Sequence, residues 1–301
     1  MAVVPFQFYT STASVREDLI PEITNISPTD TPFTSRIGKT TAKQRTHEWL
    51  NDALEARTAQ TPQVEGAAFA STTRAARTRL LNYVEILDKP WTVSGSIEAM
   101  DTVSNGKTEF RYQRDLRRQE LANGQEYRCV VGHSAGVSGD SATASQLKGL
   151  LFWITGNADT ATADRTLTLA MLNNAAQSCW TDGGKPNILF TATARKANLV
   201  NVISTSYGSR ELPGGSGTVD QRVETFYGEY GGPLEVVLSR DLDSGSLALL
   251  ETMRWKLAYL RRPNIQVMGK EGDRRSAQWV SEFTLESRAE SANAKIQDIS
   301  G

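Results

Sequence analysis

Asn25-Ile-Ser-Pro-Thr-Asp-Thr-Pro-Phe-Thr-Ser-Arg-Ile-Gly-Lys39, followed by Arg45-Thr-His-Glu-Trp49, sets two prolines and two large apolar side chains on a stretch with no local partner. Pro28 and Pro32 fix their own φ and bias Ser27 and Thr31 toward extended backbone, so no helix runs through them. The stretch therefore reads as an extended arm feeding a strand. Phe33 and Ile37 are its anchors, and anchors on a strap must dock on a surface distant in sequence. We expect much of that surface to belong to other copies of the chain.

Working outward, Thr46 to Leu50 reads as a strand, residues 56–76 are rich in Ala, Thr, Gln and Gly, and Thr78 to Leu87 reads as a returning strand. The pair is a long β-hairpin ribbon. An isolated two-stranded ribbon is marginal in water, so this one needs a surface to lie on, and we expect that support to be intermolecular. The outgoing half carries His47, Glu48, Trp49, Asp52 and Glu55, and the returning half carries Arg74, Arg77 and Arg79. Opposite charges pair either across the ribbon or across a subunit boundary. Exposed pairs contribute about 0 to 1 kcal/mol each, so they set register more than strength.

Beyond the ribbon, Trp91, Val93 and Ile97 alternate with polar residues as in a half-buried strand. Lys107 to His133 favours a long helix of roughly 40 Å, with apolar points at Phe110, Tyr112, Leu116, Leu121, Tyr127 and Val131. Two loops, Ser134 to Gln146 and Thr155 to Ala163, flank a short apolar segment. Asp164 reads as the cap of a helix carrying Leu167, Met171, Ala175 and Cys179 on one face and ending at Asp182-Gly-Gly184. A strand at Asn187 to Ala192 and a helix capped by Thr193 complete an αβα unit. Strands follow near Arg222 to Tyr227 and Leu234 to Ser239. In the closing strand Trp279, Phe283 and Leu285 face one way and Glu282, Thr284, Glu286 and Arg288 the other. The order is that of an α+β fold, with no internal repeat.

The 301 residues are 39% hydrophobic, enough for one large domain or two medium ones. Thirty-three basic against thirty-four acidic side chains give a formal charge of −1, unlike a dedicated nucleic-acid binder. The N-terminus has no basic leader and no apolar run approaches a membrane span, so cytoplasmic synthesis is expected. Cys129 and Cys179 read as buried free thiols in a reducing compartment.

Catalytic residues are scarce. His47 lies in a strand and His133 at a helix end, and both read as structural. No Cys-x-x-Cys or His-Glu-x-x-His spacing suggests a metal, and no cofactor is expected. Asp241-Leu-Asp-Ser-Gly245 reads as a turn and helix cap. Leu212-Pro-Gly-Gly-Ser-Gly217 lacks the lysine of a phosphate loop, and Asp182-Gly-Gly-Lys-Pro186 leaves a helix rather than opening one. Arg254 to Arg262 mixes cations and aromatics, which fits a strand with snorkelling bases better than a phosphate-binding face.

Several short pieces in order resemble one family. They are Ile26-Ser-Pro-Thr-Asp-Thr-Pro-Phe33 with Ile37-Gly-Lys39, then His47-Glu-Trp49, then Arg79-Leu-Leu-Asn-Tyr83 leading to Val93-Ser-Gly-Ser96. Leu147-Lys-Gly-Leu-Leu-Phe-Trp-Ile154 follows, and Gly272-Asp273 precedes Glu282-Phe-Thr-Leu-Glu286. Nearly end to end, the chain is similar to the major capsid proteins of tailed bacteriophages, with the fold named after phage Hong Kong 97. The resemblance implies an N-terminal arm over 1–41 with no long scaffolding segment before it, and an extended loop over 42–89. It implies a peripheral domain over 90–148 and 252–301 with a spine helix at about 107–133, and an axial domain over 149–251. It implies inter-subunit contacts through Pro28, Pro32, Phe33 and Ile37 of the arm and through His47, Glu48, Trp49, Asp52, Glu55, Arg74, Arg77 and Arg79 of the loop. The implied product is an icosahedral or prolate shell of hexamers and pentamers around double-stranded DNA, assembled in a host cytoplasm, with portal, scaffold and decoration proteins as further partners and no membrane. An encapsulin-like compartment shares the fold. A hydrolase using His47 or His133 and a DNA-binding module are readings from other classes.

Overall fold

The structure, a computed structural model, describes residues 27–54, 62–68, 76–100, 104, 106–207 and 225–300. The arm reaches its first strand, β1 (Gly38–Thr41), by a turn closed from Ile37 N to Phe33 O. β1 lies parallel to β10 (Trp255–Val267), which pairs antiparallel with β11 (Arg274–Ser287). β11 in turn pairs with β4 (Glu85–Ser94), giving a four-stranded sheet in the order β1-β10-β11-β4. Residues 85–89, assigned to the extended loop on sequence, thus belong to this sheet, because Glu85 to Lys89 run in register with Phe283 to Trp279.

Strand β4 buries Trp91 and Val93 as their alternation requires. Ile97 departs from that expectation. Ser94 accepts a hydrogen bond from Ile97 N and starts a short helix, α1 (Gly95–Ala99), which leaves Ile97 exposed. On β11 the odd-numbered Phe283 and Leu285 are buried as expected, but Glu282, Thr284 and Glu286 are buried too. Their carboxylates are tolerated because Arg261 meets Glu282 at 2.7 Å and His47 meets Glu286 at 3.1 Å.

The long helix, α2 (Glu109–Val130), has 22 residues, about 33 Å at 1.5 Å per residue. It is shorter than the stretch Lys107 to His133 suggests, and its C-terminal stop is physical. Gly132 adopts φ +49°, and its backbone lies so close to Gly149 that a Cβ there would sit 2.3 Å from the Gly149 Cα. The helix buries Phe110, Leu121, Gln125, Glu126, Cys129 and Val130, while Tyr127 points to solvent.

Past Gly149 come α3 (Leu150–Trp153) and a six-stranded sheet. Its order is β5 (Ala158–Asp159), β12 (Ala294–Ile296), β9 (Leu247–Leu250), β6 (Ile188–Ala192), β8 (Pro233–Ser239) and β7 (Thr225–Tyr227). Strand β12 corrects the expected domain boundary: the chain end within 252–301 returns to this sheet, between β5 and β9, rather than staying with the four-stranded one. Helices α4 (Leu169–Thr181) and α5 (Lys196–Tyr207) follow the αβα order around β6. Thr168, not Asp164, caps α4 by accepting from Met171 N, and Leu167 is buried just outside the helix. Thr193 opens a 3-10 turn before α5 and caps nothing, since its hydroxyl donates to Ser239 O. Asp243 closes a turn on Gly245 N and Ser246 Oγ, and a strand rather than a helix follows it.

One apolar core joins both sheets to α2, running from Phe33 and Ile37 through Leu150 and Phe190 to Trp255 and Phe283. A second lies between α4, α5 and the six-stranded sheet and includes Leu172, Cys179, Leu199 and Phe226. Both cysteines are buried free thiols; burial lifts Cys129 well above the usual thiol range and Cys179 to about 12.

Candidate functional site

Two features reach out from this body: the arm that precedes β1, and a two-stranded ribbon of β2 (Thr46–Asn51) and β3 (Thr78–Tyr83). The arm is fastened along its length. Pro28 O accepts from Asn123 Nδ2 at 2.9 Å, and Asp30 meets Arg240 at 3.4 Å. Phe33 N and Thr34 N donate to the two oxygens of Glu126 at 2.7 and 2.8 Å, and Thr34 Oγ1 donates at 2.7 Å. Glu126 is fully buried, with no cation beside it among the described residues. Burial, against the pull of those three donors and with some help from Asp241, holds its carboxyl above the usual carboxylate range.

Between the clamped amides and β1, Phe33 packs at 6.0 Å from the Phe190 ring and 5.9 Å, edge-on, from Trp255. Ile37 is buried in the same core. The strap is extended only up to Thr31: residues 32–36 form a turn closed from Ser35 N to Thr31 O and from Ile37 N to Phe33 O, and the dock is the chain's own core. Phe33 and Ile37, expected to dock on another copy, are buried within their own chain. Pro28 stays exposed and Pro32 half-buried.

The ribbon base is fastened as well. Asn82 donates to Leu285 O at 2.8 Å and accepts from Lys148 N at 2.8 Å, so one buried amide joins β3 to β11 and to the segment before α3. Trp49 donates from its indole to Ser287 O and stacks at 5.4 Å from Trp153. His47 meets Glu286; burial works to raise that carboxyl, but the hydrogen bonds from His47 and Arg288 outweigh it and hold it below its ordinary value. Part of the ribbon's support is thus intramolecular, another correction, and His47 and Trp49 supply it.

Farther out the character changes. Glu48 pairs with Arg79 at 3.4 Å and Asp52 with Arg77 at 3.3 Å, both across the ribbon and both well exposed. Glu55 and Arg74 lie outside the described residues. On either side of residues 55–61, which lie outside the described residues, Leu50 is 59%, Leu54 90% and Val64 81% exposed.

Neither histidine pairs with a nucleophilic side chain among the described residues: His47 meets Glu286. His133 accepts from Ala135 N through Nδ1, and Lys185, after α4, holds Glu251 through its backbone N. Among the described residues no group of three His, Cys, Asp or Glu is placed to hold a metal ion, and no helix is long and apolar enough to cross a membrane. The glycine-rich stretch 212–217 lies outside the described residues.

A family model described as SU10 major capsid protein matches residues 5–300. The chain belongs to that family. It is a capsid shell subunit, and its place is the virion capsid. Solved structures share the fold at low identity. Against a chain of the Cyanophage A-1(L) capsid asymmetric unit the identity is 12%, the TM-score 0.69, and 98% of this chain and 100% of that one are covered. Against Microbacterium phage Oxtober96 the values are 15%, 0.68, 97% and 98%. The holo-SrpI encapsulin complex of Synechococcus elongatus PCC 7942 gives 12%, 0.59, 99% and 96%. A comparison with curated protein sequences finds no match. The α+β fold is therefore the Hong Kong 97-type capsid fold.

Sequence reasoning did not single out Glu126, Asn82 or Glu85. Glu85 is buried and accepts from Arg128 and from Leu147 N, tying β4 to the end of α2. No local signal marks these residues, because their partners lie 43 to 203 positions away.

Proposed function

We propose that this capsid subunit forms hexamers and pentamers that close around double-stranded DNA, with the ribbon laid over neighbouring subunits. The observation that carries this reading is the division of the ribbon. Its base is bonded to the parent body through Asn82, His47 and Trp49, whereas Leu50, Leu54 and Val64 stand bare. Burying one such side chain stabilises by about 1.5 to 3 kcal/mol, so a neighbour that covers several of them is held without any strong ion pair. Glu48, Asp52, Arg77 and Arg79, with Glu55 and Arg74, set the register of that contact, and the exposed Pro28 and half-buried Pro32 meet a neighbour at the arm. The near-neutral charge supports an inner wall that contains DNA without gripping it. Assembly takes place in the host cytoplasm, with portal, scaffold and decoration proteins as further contacts.

Electron microscopy of the purified protein, combined with extraction of nuclease-resistant nucleic acid from infected-cell particles, tests the proposal. Closed shells with protected double-stranded DNA are expected; a protein that stays dispersed under every assembly condition refutes it. The similarity to an encapsulin favours a second reading, a compartment for protein cargo. Shells that hold protein and no nucleic acid select it.

A further inference from the structure

We infer that residues 28–36 form a brace that fixes the angle between α2 with its four-stranded sheet and the six-stranded sheet, and that cutting this brace lets the two bodies pivot. The strap is bonded to both. On the α2 side stand Asn123, which holds Pro28 O, and Glu126, which holds Phe33 N, Thr34 N and Thr34 Oγ1. On the other side Arg240, just after β8, meets Asp30, and Glu235 of β8 meets Arg36 at 2.7 Å. The Phe33 ring sits between the bodies, against Phe190 of β6 and Trp255 of β10. Every fastening crosses the same seam.

The seam is also built to move. Beneath the strap lies a cavity of about 220 Å³ lined by Asn123 from α2 and by Thr193, Leu238 and Asp241 from the other body. Closely packed bodies resist rotation because every neighbour must shift, and a void lowers that resistance on one side. The pivot lies where Gly132 and Gly149 cross: a Cβ on Gly149 would stand 2.3 Å from Val131 O, so two bare backbones meet with no side chain between them. A subunit that fits rings of both five and six copies needs more than one angle between its bodies; this last step rests on the shell function proposed above, whereas the brace itself does not.

The test is a distance measurement on the full-length dispersed subunit. Spin labels placed at Arg118→Cys on the exposed face of α2 and Gln177→Cys on the exposed face of α4 report the angle, the native cysteines being buried. The braced protein is expected to give one narrow distance distribution. Glu126→Ala combined with Arg240→Ala is expected to broaden it at least twofold, and to raise hydrogen exchange at the Phe33 and Thr34 amides at least tenfold. If that variant does not fold, Arg36→Ala with Arg240→Ala, which touches only exposed pairs, is expected to broaden the distribution to a smaller degree. A distribution as narrow as the parent's in a folded variant overturns the inference. Shell formation is scored separately by sedimentation, so a subunit that pivots but never assembles refutes the shell reading and leaves the brace standing.

Discussion

Replacing Phe33 by alanine tests whether the arm belongs to its own subunit. The ring is 2% exposed and fills the space between Phe190 and Trp255, with Ile37 in the same core. Removing a buried phenylalanine costs about 3 to 5 kcal/mol, and the two aromatic contacts, one tilted and one edge-on, place this site toward the upper end. For a chain of this length the melting temperature should fall on the order of 10 °C. The assay is urea unfolding of dispersed subunits, followed by tryptophan fluorescence, at two protein concentrations roughly fiftyfold apart. Intramolecular docking requires the same loss at both, because no second copy enters the equilibrium. A loss under about 1 kcal/mol, or one that appears only at the higher concentration, would refute the reasoning and return Phe33 to a neighbour's surface.

Acidity gives a second outcome. The Glu126 carboxyl is held above its ordinary value in the folded subunit, so folding takes up a proton there: its contribution to stability is complete below the unfolded value and declines as pH rises through the higher folded value. Urea unfolding should therefore need less denaturant as pH climbs above the ordinary carboxylate range; Glu126→Gln should flatten that slope, and an unchanged slope counts against it. Arg77→Glu with Arg79→Glu should cost the isolated subunit no more than about 2 kcal/mol and slow assembly most at low salt, as read by sedimentation at two ionic strengths. Gly149→Ala should abolish soluble expression or cost several kcal/mol, because the new methyl would overlap Val131 O, whereas Gly124→Ala should be neutral or stabilising, since its methyl meets only Leu87 at 3.5 Å. Removal of residues 2–35 should now unfold part of the body as well as block assembly, which circular dichroism of the truncated chain would reveal.

What could be read from the chain was whatever is fixed by neighbours in sequence. Pro28 and Pro32 keep residues 28–31 extended by local sterics, although a turn follows at 32–36, the alternation at Trp91 and Val93 makes a strand, and the capsid-like order of short motifs fits the family match over residues 5–300. What could not be read was the address of each anchor. Phe33 finds Phe190 and Trp255, and Asn82 finds Leu285, across spans that no local pattern encodes. Glu286 misled for a related reason: its alternation with Leu285 is that of a solvent-facing residue, but His47 arrives from the ribbon and buries it. The site was half legible in the same sense. The charges of Glu48, Asp52, Arg77 and Arg79 announce a paired ribbon, while its bare leucines matter only once the base is seen to be bonded elsewhere.

The internal docking of the arm shifts the burden of assembly. If Phe33 and Ile37 stay in their own core, the subunit completes its fold at the seam before it meets a neighbour, and those side chains add nothing to the contact between copies. The charged pairs on the ribbon cannot replace them, since each is exposed and already satisfied across the hairpin. On the proposed ribbon contact, covering Leu50, Leu54 and Val64 contributes on the order of 5 to 9 kcal/mol before the entropy of association is subtracted. One such contact is weak. Repeated around the proposed ring, in which each subunit would both give and receive a ribbon, the same contact becomes cooperative, so assembly should depend steeply on concentration while the fold of the subunit does not.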